Sequence, residues 1–335
     1  MGIKVIGIDI AKSVFQLHGR DEVGRVVLEK RLSRGQFLTF VGKLPRCLIG
    51  IEAGGGAHYW GSELGKLGHE VRLIAPQFVK PFVKSNKNDA RDAEAICETL
   101  TRPGMRFVPV KTPRQLEQQA VHRVRTRLIS ARTALVNEIR GLMAEHGIVF
   151  ARSPRVIRRE MSATVEKMDR LSELGKGVFS QLRGELGHLD EQIEHYDGLL
   201  DGIEKAQPVC QRLRQVPGIG PITATAIVSM TDPTQFESGR QFAAWVGLVP
   251  RQHSSGGKER LLGMSKRGNP YLRTLLVHGA RSVIRHASGK EDRTSQWLGQ
   301  LVERRGKNRA AVALANKNAR IIWAMLTRDE DYRAA

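Results

Sequence analysis

Three strand-like runs precede the first helix signal in this 335-residue chain, and that order limits the fold more than any other feature. Lys4-Val5-Ile6-Gly7-Ile8-Asp9-Ile10 is rich in β-branched residues, and Val14-Phe15-Gln16-Leu17-His18 and Val26-Val27-Leu28-Glu29 follow it. The segment 19–24 between the last two reads as a hairpin loop. An amphipathic stretch over 34–43 leads to Cys47-Leu48-Ile49-Gly50-Ile51-Glu52, which is apolar on both faces, as a covered central strand is. A helix signal over 57–68 and a fifth strand at Val71-Arg72-Leu73-Ile74 complete the order β-β-β-α-β-α-β.

A meander of three strands continued by parallel crossovers is the order of an RNase H-like sheet. From Pro113 the period changes. Val121, Val124, Leu128, Ala131, Leu135, Ile139 and Leu142 step by threes and fours. Leu182, Leu186, Leu189, Ile193, Tyr196, Leu200 and Ile203 repeat at coiled-coil spacing and stop before Pro208. Such stripes suit two helices of an ordinary bundle, or a projecting antiparallel hairpin that carries oligomer contacts. The remainder is mostly helical around a Gly- and Ser-rich basic loop at 250–268, with Asn269-Pro270 as a cap and first-turn pair. The expected fold is α/β plus α: an RNase H-like domain over 1–112, a long coiled-coil helical segment over 113–206 and a mostly helical domain over 207–335.

Charge divides the chain along similar lines. Lys and Arg number 54 against 34 Asp and Glu, a formal net charge of +20, and such a chain needs a polyanionic partner. Residues 160–206 run the other way, with 11 acidic and 5 basic residues, whereas 111–159 hold 11 basic and 3 acidic. Phosphate repels an acidic stretch, so this one reads as a protein-contacting spacer between two basic bodies. Aromatic residues are 5% of the chain, too few for a surface built mainly on base stacking. No apolar run approaches the roughly 20 residues that span a bilayer. Cys47, Cys97 and Cys210 lack zinc spacing and are odd in number, which fits a reducing cytosol.

The acids carry the chemistry. Asp9 lies near the end of the first strand, facing opposite to Ile8 and Ile10, and Glu52 closes the fourth. In the expected topology these strands are neighbours, so their C-terminal ends bring two carboxylates together. Asp89 and Asp92 stand three apart at the start of a helix and share a face. Four carboxylates in one cleft repel one another unless a divalent cation lies between them. Hard oxygen ligands suit Mg²⁺, which polarises a scissile phosphate. Taken singly, each acid has a blander reading: Gly-x-Asp also opens actin- and hexokinase-like ATPases, and Asp89 favours a helix N-terminus through the macrodipole. An ATPase needs a second βββαβα unit, which residues 111–335 do not supply.

In the last block, Val216-Pro217-Gly218-Ile219-Gly220-Pro221 has two readings. Either Gly218 and Gly220 admit a phosphate to backbone N–H groups, as in a helix-hairpin-helix, or the segment is a tight turn between packed helices. Further on, Gly247-Leu248-Val249-Pro250 leads through Ser254-Ser255-Gly256-Gly257-Lys258-Glu259-Arg260 to Ser265-Lys266-Arg267-Gly268-Asn269. Lys258, Arg260, Lys266 and Arg267 suit phosphate contact. Composition favours a flexible phosphate-contacting loop; a serine nucleophile beside stabilising cations is the sharper alternative.

Together these motifs resemble the bridge-RNA-guided transposases of the insertion sequence 110 family. Ile8-Asp9-Ile10-Ala11-Lys12, Glu52 and Asn88-Asp89-Ala90-Arg91-Asp92-Ala93 are similar to the family's RuvC-like Asp-Glu-Asp-Asp domain. The glycine turn at 216–221 and the serine segment are similar to its C-terminal transposase domain, and the order is kept over nearly the whole chain. The resemblance implies a DNA recombinase that moves its own insertion sequence, with Mg²⁺ held by Asp9, Glu52, Asp89 and Asp92. It implies a serine that attacks a scissile phosphodiester and forms a covalent phosphoserine link; of Ser254 and Ser255, the latter directly precedes the glycines and is chosen. It further implies donor and target DNA, a structured noncoding bridge RNA that selects them, a tetramer built of two dimers, and a cytoplasmic, nucleoid-associated setting. Delegating sequence recognition to base pairing agrees with a +20 chain poor in aromatics. A junction-resolving nuclease that uses water needs the carboxylates and not the serine; a non-catalytic nucleic-acid-binding protein needs neither.

Overall fold

Period-2 burial builds the first sheet. In the computed structural model, which describes residues 2–83, 88–150, 154–166 and 171–333, β1 (Val5–Ile10) pairs antiparallel with β2 (Val14–Arg20), and β2 with β3 (Val26–Ser33). After α1 (Arg34–Val41), β4 (Leu48–Glu52) returns parallel to β1. After α2 (Ala57–Lys66), β5 (Glu70–Ile74) returns parallel to β4. The short α3 (Pro76–Val79) and the longer α4 (Asp89–Leu100) follow, and β6 (Phe107–Val108) closes the far edge antiparallel to β5. The strand order β3-β2-β1-β4-β5-β6 agrees with the expected meander and crossovers, and puts β1 beside β4. β6 is an addition, because two residues give no period to read.

The two faces of this sheet differ. On one, Ile8 and Ile51 are fully buried with Phe15, Phe37 and Trp60 under α1 and α2, and the Phe15 and Phe37 rings stack at 4.5 Å. Fully burying each such side chain contributes about 1.5–3 kcal/mol. On the other face α4 crosses β1 and β4 where both strands carry glycine. Gly7 and Gly50 are register partners there. A Cβ on Gly7 would meet the Ala93 oxygen at 2.2 Å and the Cys97 nitrogen at 2.4 Å, and one on Gly50 would meet Leu100 Cδ1 at 2.6 Å. α4 therefore lies directly on the strand backbones.

The chain divides into two compact units, Met1–Arg114 and Gln115–Ala335. The long α5 (Pro113–Glu145), α6 (Pro154–Glu166) and α7 (Glu173–Lys205) share one apolar cluster that includes Leu128, Ile139, Ile157, Phe179, Leu186 and Ile193. The two apolar series read from the sequence thus meet within one chain, with α6 joining them. Acidic residues of α7 are used there too. Asp190 pairs with Arg132 at 3.1 Å and Arg158 at 2.8 Å, and Asp197 pairs with Arg125. The charge reversal over 160–206 is partly internal, rather than reserved for another protein.

The rest of this unit runs α8 (Pro208–Leu213), α9 (Pro221–Met230), α10 (Gly239–Val246), β7 (Pro250–Gln252), β8 (Leu261–Met264), α11 (Pro270–Arg285), α12 (Arg293–Arg305) and α13 (Lys307–Arg328). Its core gathers Leu213, Phe242, Val246, Leu272, Leu314 and Ile322. Asn269 caps α11 as expected, its Oδ1 accepting from the N–H groups of Tyr271 (3.0 Å) and Leu272 (3.2 Å). α5 is stitched to this part by Gln119, whose Nε2 donates to the Ser229 oxygen at 2.6 Å, and by His122, whose Nδ1 lies 3.0 Å from the Tyr271 hydroxyl.

Candidate active site and nucleic-acid interface

Alternation along a strand places Gly7 and Asp9 on one face, and Gly50 and Glu52 on the same face of the next strand. Because Gly7 touches Ala93 and Cys97, the first turn of α4 arrives over the Asp9 end of β1. Asn88 starts that helix by accepting from the Ala90 N–H at 3.0 Å. Asp9, Asp89 and Asp92 each present a carboxylate oxygen within 4.8 Å of the others, Asp89 exposed and the other two half-buried. Like charges at that separation repel by roughly 1 kcal/mol per pair in water and about 3.5 kcal/mol at an effective dielectric near 20. A cation relieves that repulsion. Oxygens on opposite sides of one Mg²⁺ are about 4.2 Å apart, so the trio is close to ligand spacing and its hard oxygens suit a divalent ion. Glu52 ends β4 on the same face, but among the described residues its carboxylate is not within the 4.8 Å group. Beyond it the chain turns toward β5, the Ala53 N–H donating to the Ile74 oxygen at 2.7 Å.

Cys97 lies beneath this site without belonging to it. Burial pushes its thiol up to about 11, so the thiolate needed for ligation or attack is disfavoured.

The serine segment is a β-hairpin, not a flexible loop. β7 and β8 pair antiparallel, the His253 N–H donates to the Arg260 oxygen at 2.9 Å, and Ser255 bridges to Lys258. Gly256 (φ 56°) and Gly257 (φ 74°) form the two-residue turn, closed by the Lys258 N–H on the Ser255 oxygen at 3.1 Å. Positive φ at both central positions matches the right-handed twist of the strands and selects glycine. The adjacent serines differ. Ser254 Oγ accepts from the Arg260 N–H (3.3 Å) and from Gln252 Nε2 (3.0 Å), which staples the hairpin. Ser255 is exposed at the turn, and its hydroxyl makes no hydrogen bond among the described residues. Lys258, Arg260, Lys266 and Arg267 are exposed along the same hairpin and its root.

That root is locked in a way the sequence reading missed. A Cβ on Gly247 would lie 2.1 Å from the Arg267 oxygen, and one on Gly268 would lie 1.6 Å from the Trp245 oxygen. Arg273 Nη1 donates to the oxygens of Val246 and Arg267, each at 2.9 Å. The glycines flanking the segment were the available signal; Arg273, inside a helix, offered none.

Gly218 has a packing role. Its φ is +87°, and a Cβ there would lie 2.8 Å from the Gly279 oxygen of α11, while one on Gly279 would lie 1.9 Å from the Gly218 oxygen. Asn318 Nδ2 holds the same turn by donating to the Pro217 oxygen at 2.8 Å. Gly220 is the N-cap of α9, with open space around it.

Comparison with known proteins agrees with both halves. A transposase family model of the DEDD insertion sequence 110 type matches residues 6–148, and one described as the transposase IS116/IS110/IS902 family matches residues 210–295. A probable family 20 transposase of Pseudomonas aeruginosa is 51% identical over 99% of each chain. The transposase for insertion sequence element IS1111A of Coxiella burnetii is 50% identical over 99% of this chain and 92% of its own. The transposase for IS1328 of Yersinia enterocolitica is 41% identical over 97% of each. The DEDD domain implies dependence on a divalent metal, and no helix among the described residues is long and apolar enough to cross a membrane. With three close acids shared by a mixed sheet and the helix that crosses it, a helical second unit and relatives matched end to end, the chain belongs to the IS110 family of DNA transposases.

Proposed function

We infer that this transposase is a Mg²⁺-dependent, RNA-guided recombinase with Ser255 as its nucleophile. The observation that carries this reading is the difference between the two serines: Ser254 is engaged within the hairpin, and Ser255 stands uncommitted at a two-glycine turn beside Lys258 and Arg260. Asp9, Asp89 and Asp92, completed by Glu52, would hold the metal. When bound, Mg²⁺ supplies positive charge at the oxygens of a scissile phosphate. In the chemical step a bond forms between Ser255 Oγ and phosphorus while one bridging P–O bond of the DNA strand breaks, and the hydroxyl proton ends on the departing sugar oxygen. One phosphodiester replaces another. A sugar hydroxyl then reverses the step on a new strand, which water would not permit. Lys258, Arg260, Lys266 and Arg267 balance charge on the phosphate, and Gly220 leaves backbone room at the start of α9.

Donor and target DNA and a bridge RNA are the partners in this reading, acting with a tetramer of two dimers. A +20 chain with an exposed basic hairpin supports contact with backbones rather than bases. The test is a covalent adduct on denaturing gels with labelled DNA, copurified RNA and Mg²⁺. Ser255→Ala is expected to abolish the adduct and strand exchange while nucleic-acid binding survives. If both alanine variants and the double variant still cut DNA, water is the nucleophile and the reading falls. RNA guidance fails separately if sequencing recovers no discrete RNA from the purified protein.

A further inference from the structure

The outer face of α13 carries charge that the hairpin chemistry does not use. Arg309, Lys317, Arg320 and Arg328 recur along it with small residues, Ala313 and Ala324, between them. Lys317, Arg320 and Arg328 join Arg240 of α10 in lining a cavity of about 900 Å³, and among the described residues no acidic one lines it. Carboxylates near its ends are engaged elsewhere: Glu237 accepts from Gln241 Nε2 at 2.8 Å, and Asp329 pairs with Arg212. A second recess of about 400 Å³ shares Ala313 and Asn316 with the first and runs past Arg309 to Pro250 and Met264, the root of the serine hairpin.

Two tryptophans line the larger cavity, yet neither is a free stacking platform. Trp323 Nε1 donates to the oxygens of Pro233 and Phe236, both at 3.1 Å, and the Trp297 ring lies under Lys317 Nζ at 5.2 Å. The indoles fix the floor and hold a lysine extended. What the face offers is regularly spaced positive charge beside small side chains, which reads phosphates and not bases. From Arg309 to Arg328 the helix rises about 28 Å, the axial length of roughly eight base pairs.

We propose that the face formed by Arg240 of α10 with Lys317, Arg320 and Arg328 of α13 is a track for the DNA backbone, gripping by sequence-independent phosphate contacts the flank that leads to the hairpin. DNA is the occupant because the chain is a DNA transposase and the recesses run to the hairpin root; only this direction rests on the serine reading. The test measures binding of the full-length protein to a random-sequence duplex across salt concentrations. In a Lys317→Gln, Arg320→Gln double variant, the log–log salt slope is expected to become shallower by about 1.8, with affinity near 0.15 M salt falling about tenfold or more. Ser255→Ala is expected to leave both quantities unchanged, so failure of the serine chemistry does not affect this outcome. Binding of a structured RNA is expected to persist in the double variant. An unchanged DNA slope, or a loss confined to RNA or shared equally by it, overturns the assignment. Should the double variant not fold, acetylation of the wild-type protein decides: DNA is expected to protect Lys317 more than Lys176 of α7, which is half-buried and paired with Glu173, and equal labelling overturns the track.

Discussion

Gly7 and Ala93 meet backbone to backbone, so closely that a methyl group at position 7 would sit 2.2 Å from the Ala93 carbonyl oxygen. Carbon–oxygen contacts relax near 3.3 Å, so Gly7→Ala has to move α4 by about 1 Å. Asp89 and Asp92 ride on that helix. The expected cost is about 1–3 kcal/mol of stability, together with loss of metal-dependent cleavage that exceeds what the melting shift explains. Wild-type cleavage in Gly7→Ala would show that helix placement does not set the acids.

Asp89→Asn and Asp92→Asn are expected to abolish strand cleavage while leaving the fold and, on the RNA-guided reading, RNA binding largely intact. Each substitution removes one charge from a repelling trio, so melting in chelator should not fall. On the Mg²⁺ reading, the ion stabilises the wild type by about 2.7 kcal/mol at a hundredfold excess over its dissociation constant, and this stabilisation is expected to shrink in both variants. Glu94→Gln is expected to be milder, since Glu94 faces Arg20 at 3.6 Å. Thermal melts with and without Mg²⁺, run beside a cleavage assay, check all three.

The hairpin separates structure from chemistry. Ser254→Ala removes the acceptor for the Arg260 N–H and for Gln252, so it is expected to cost about 0.5–1.5 kcal/mol and slow recombination without ending it. Gly257→Ala forces a side chain into positive φ at about 1–2 kcal/mol and should slow the reaction similarly. Ser255→Ala should leave melting unchanged and remove the adduct. Reversed results for the two serines would move the nucleophile to Ser254.

His122 makes stability depend on pH. Burial, reinforced by the Arg125 charge, lowers its pKa to about 4, and Nε2 is buried without a partner among the described residues. Between about pH 6.5 and 4 the unfolded chain binds a proton that the folded chain excludes. Stability therefore rises with pH through that window and is lost as pH falls, by at most about 1.4 kcal/mol per pH unit from this group. Denaturant unfolding at several pH values should show a flatter slope for His122→Gln; parallel slopes would mean His122 does not titrate on unfolding.

Much of this was legible in sequence because it repeats. The βββαβαβ order follows from alternation, and the acids stand where strands end and a helix begins. Both strand acids also sit two residues after a glycine, Gly7 before Asp9 and Gly50 before Glu52, and this pairing records the close pass of α4. What escaped was non-periodic or long-range. β6 is two residues long, Arg273 reaches back to Val246 across 27 positions, and the pairing of Asp190 and Asp197 with α5 depends on which helix returns beside which. The glycine–serine run looked flexible by composition, yet Gly256 and Gly257 are what a tight turn requires.

The hairpin's length has a consequence for restraint. From Pro250 to Ser255 the strand extends about 17 Å, so the serine sits at the end of a lever whose base is clamped and whose tip is in water. Among the described residues its alcohol makes no hydrogen bond. On the serine reading, that lever puts the nucleophile's aim under the control of the hairpin's base, where Gly247, Gly268 and Arg273 set its direction.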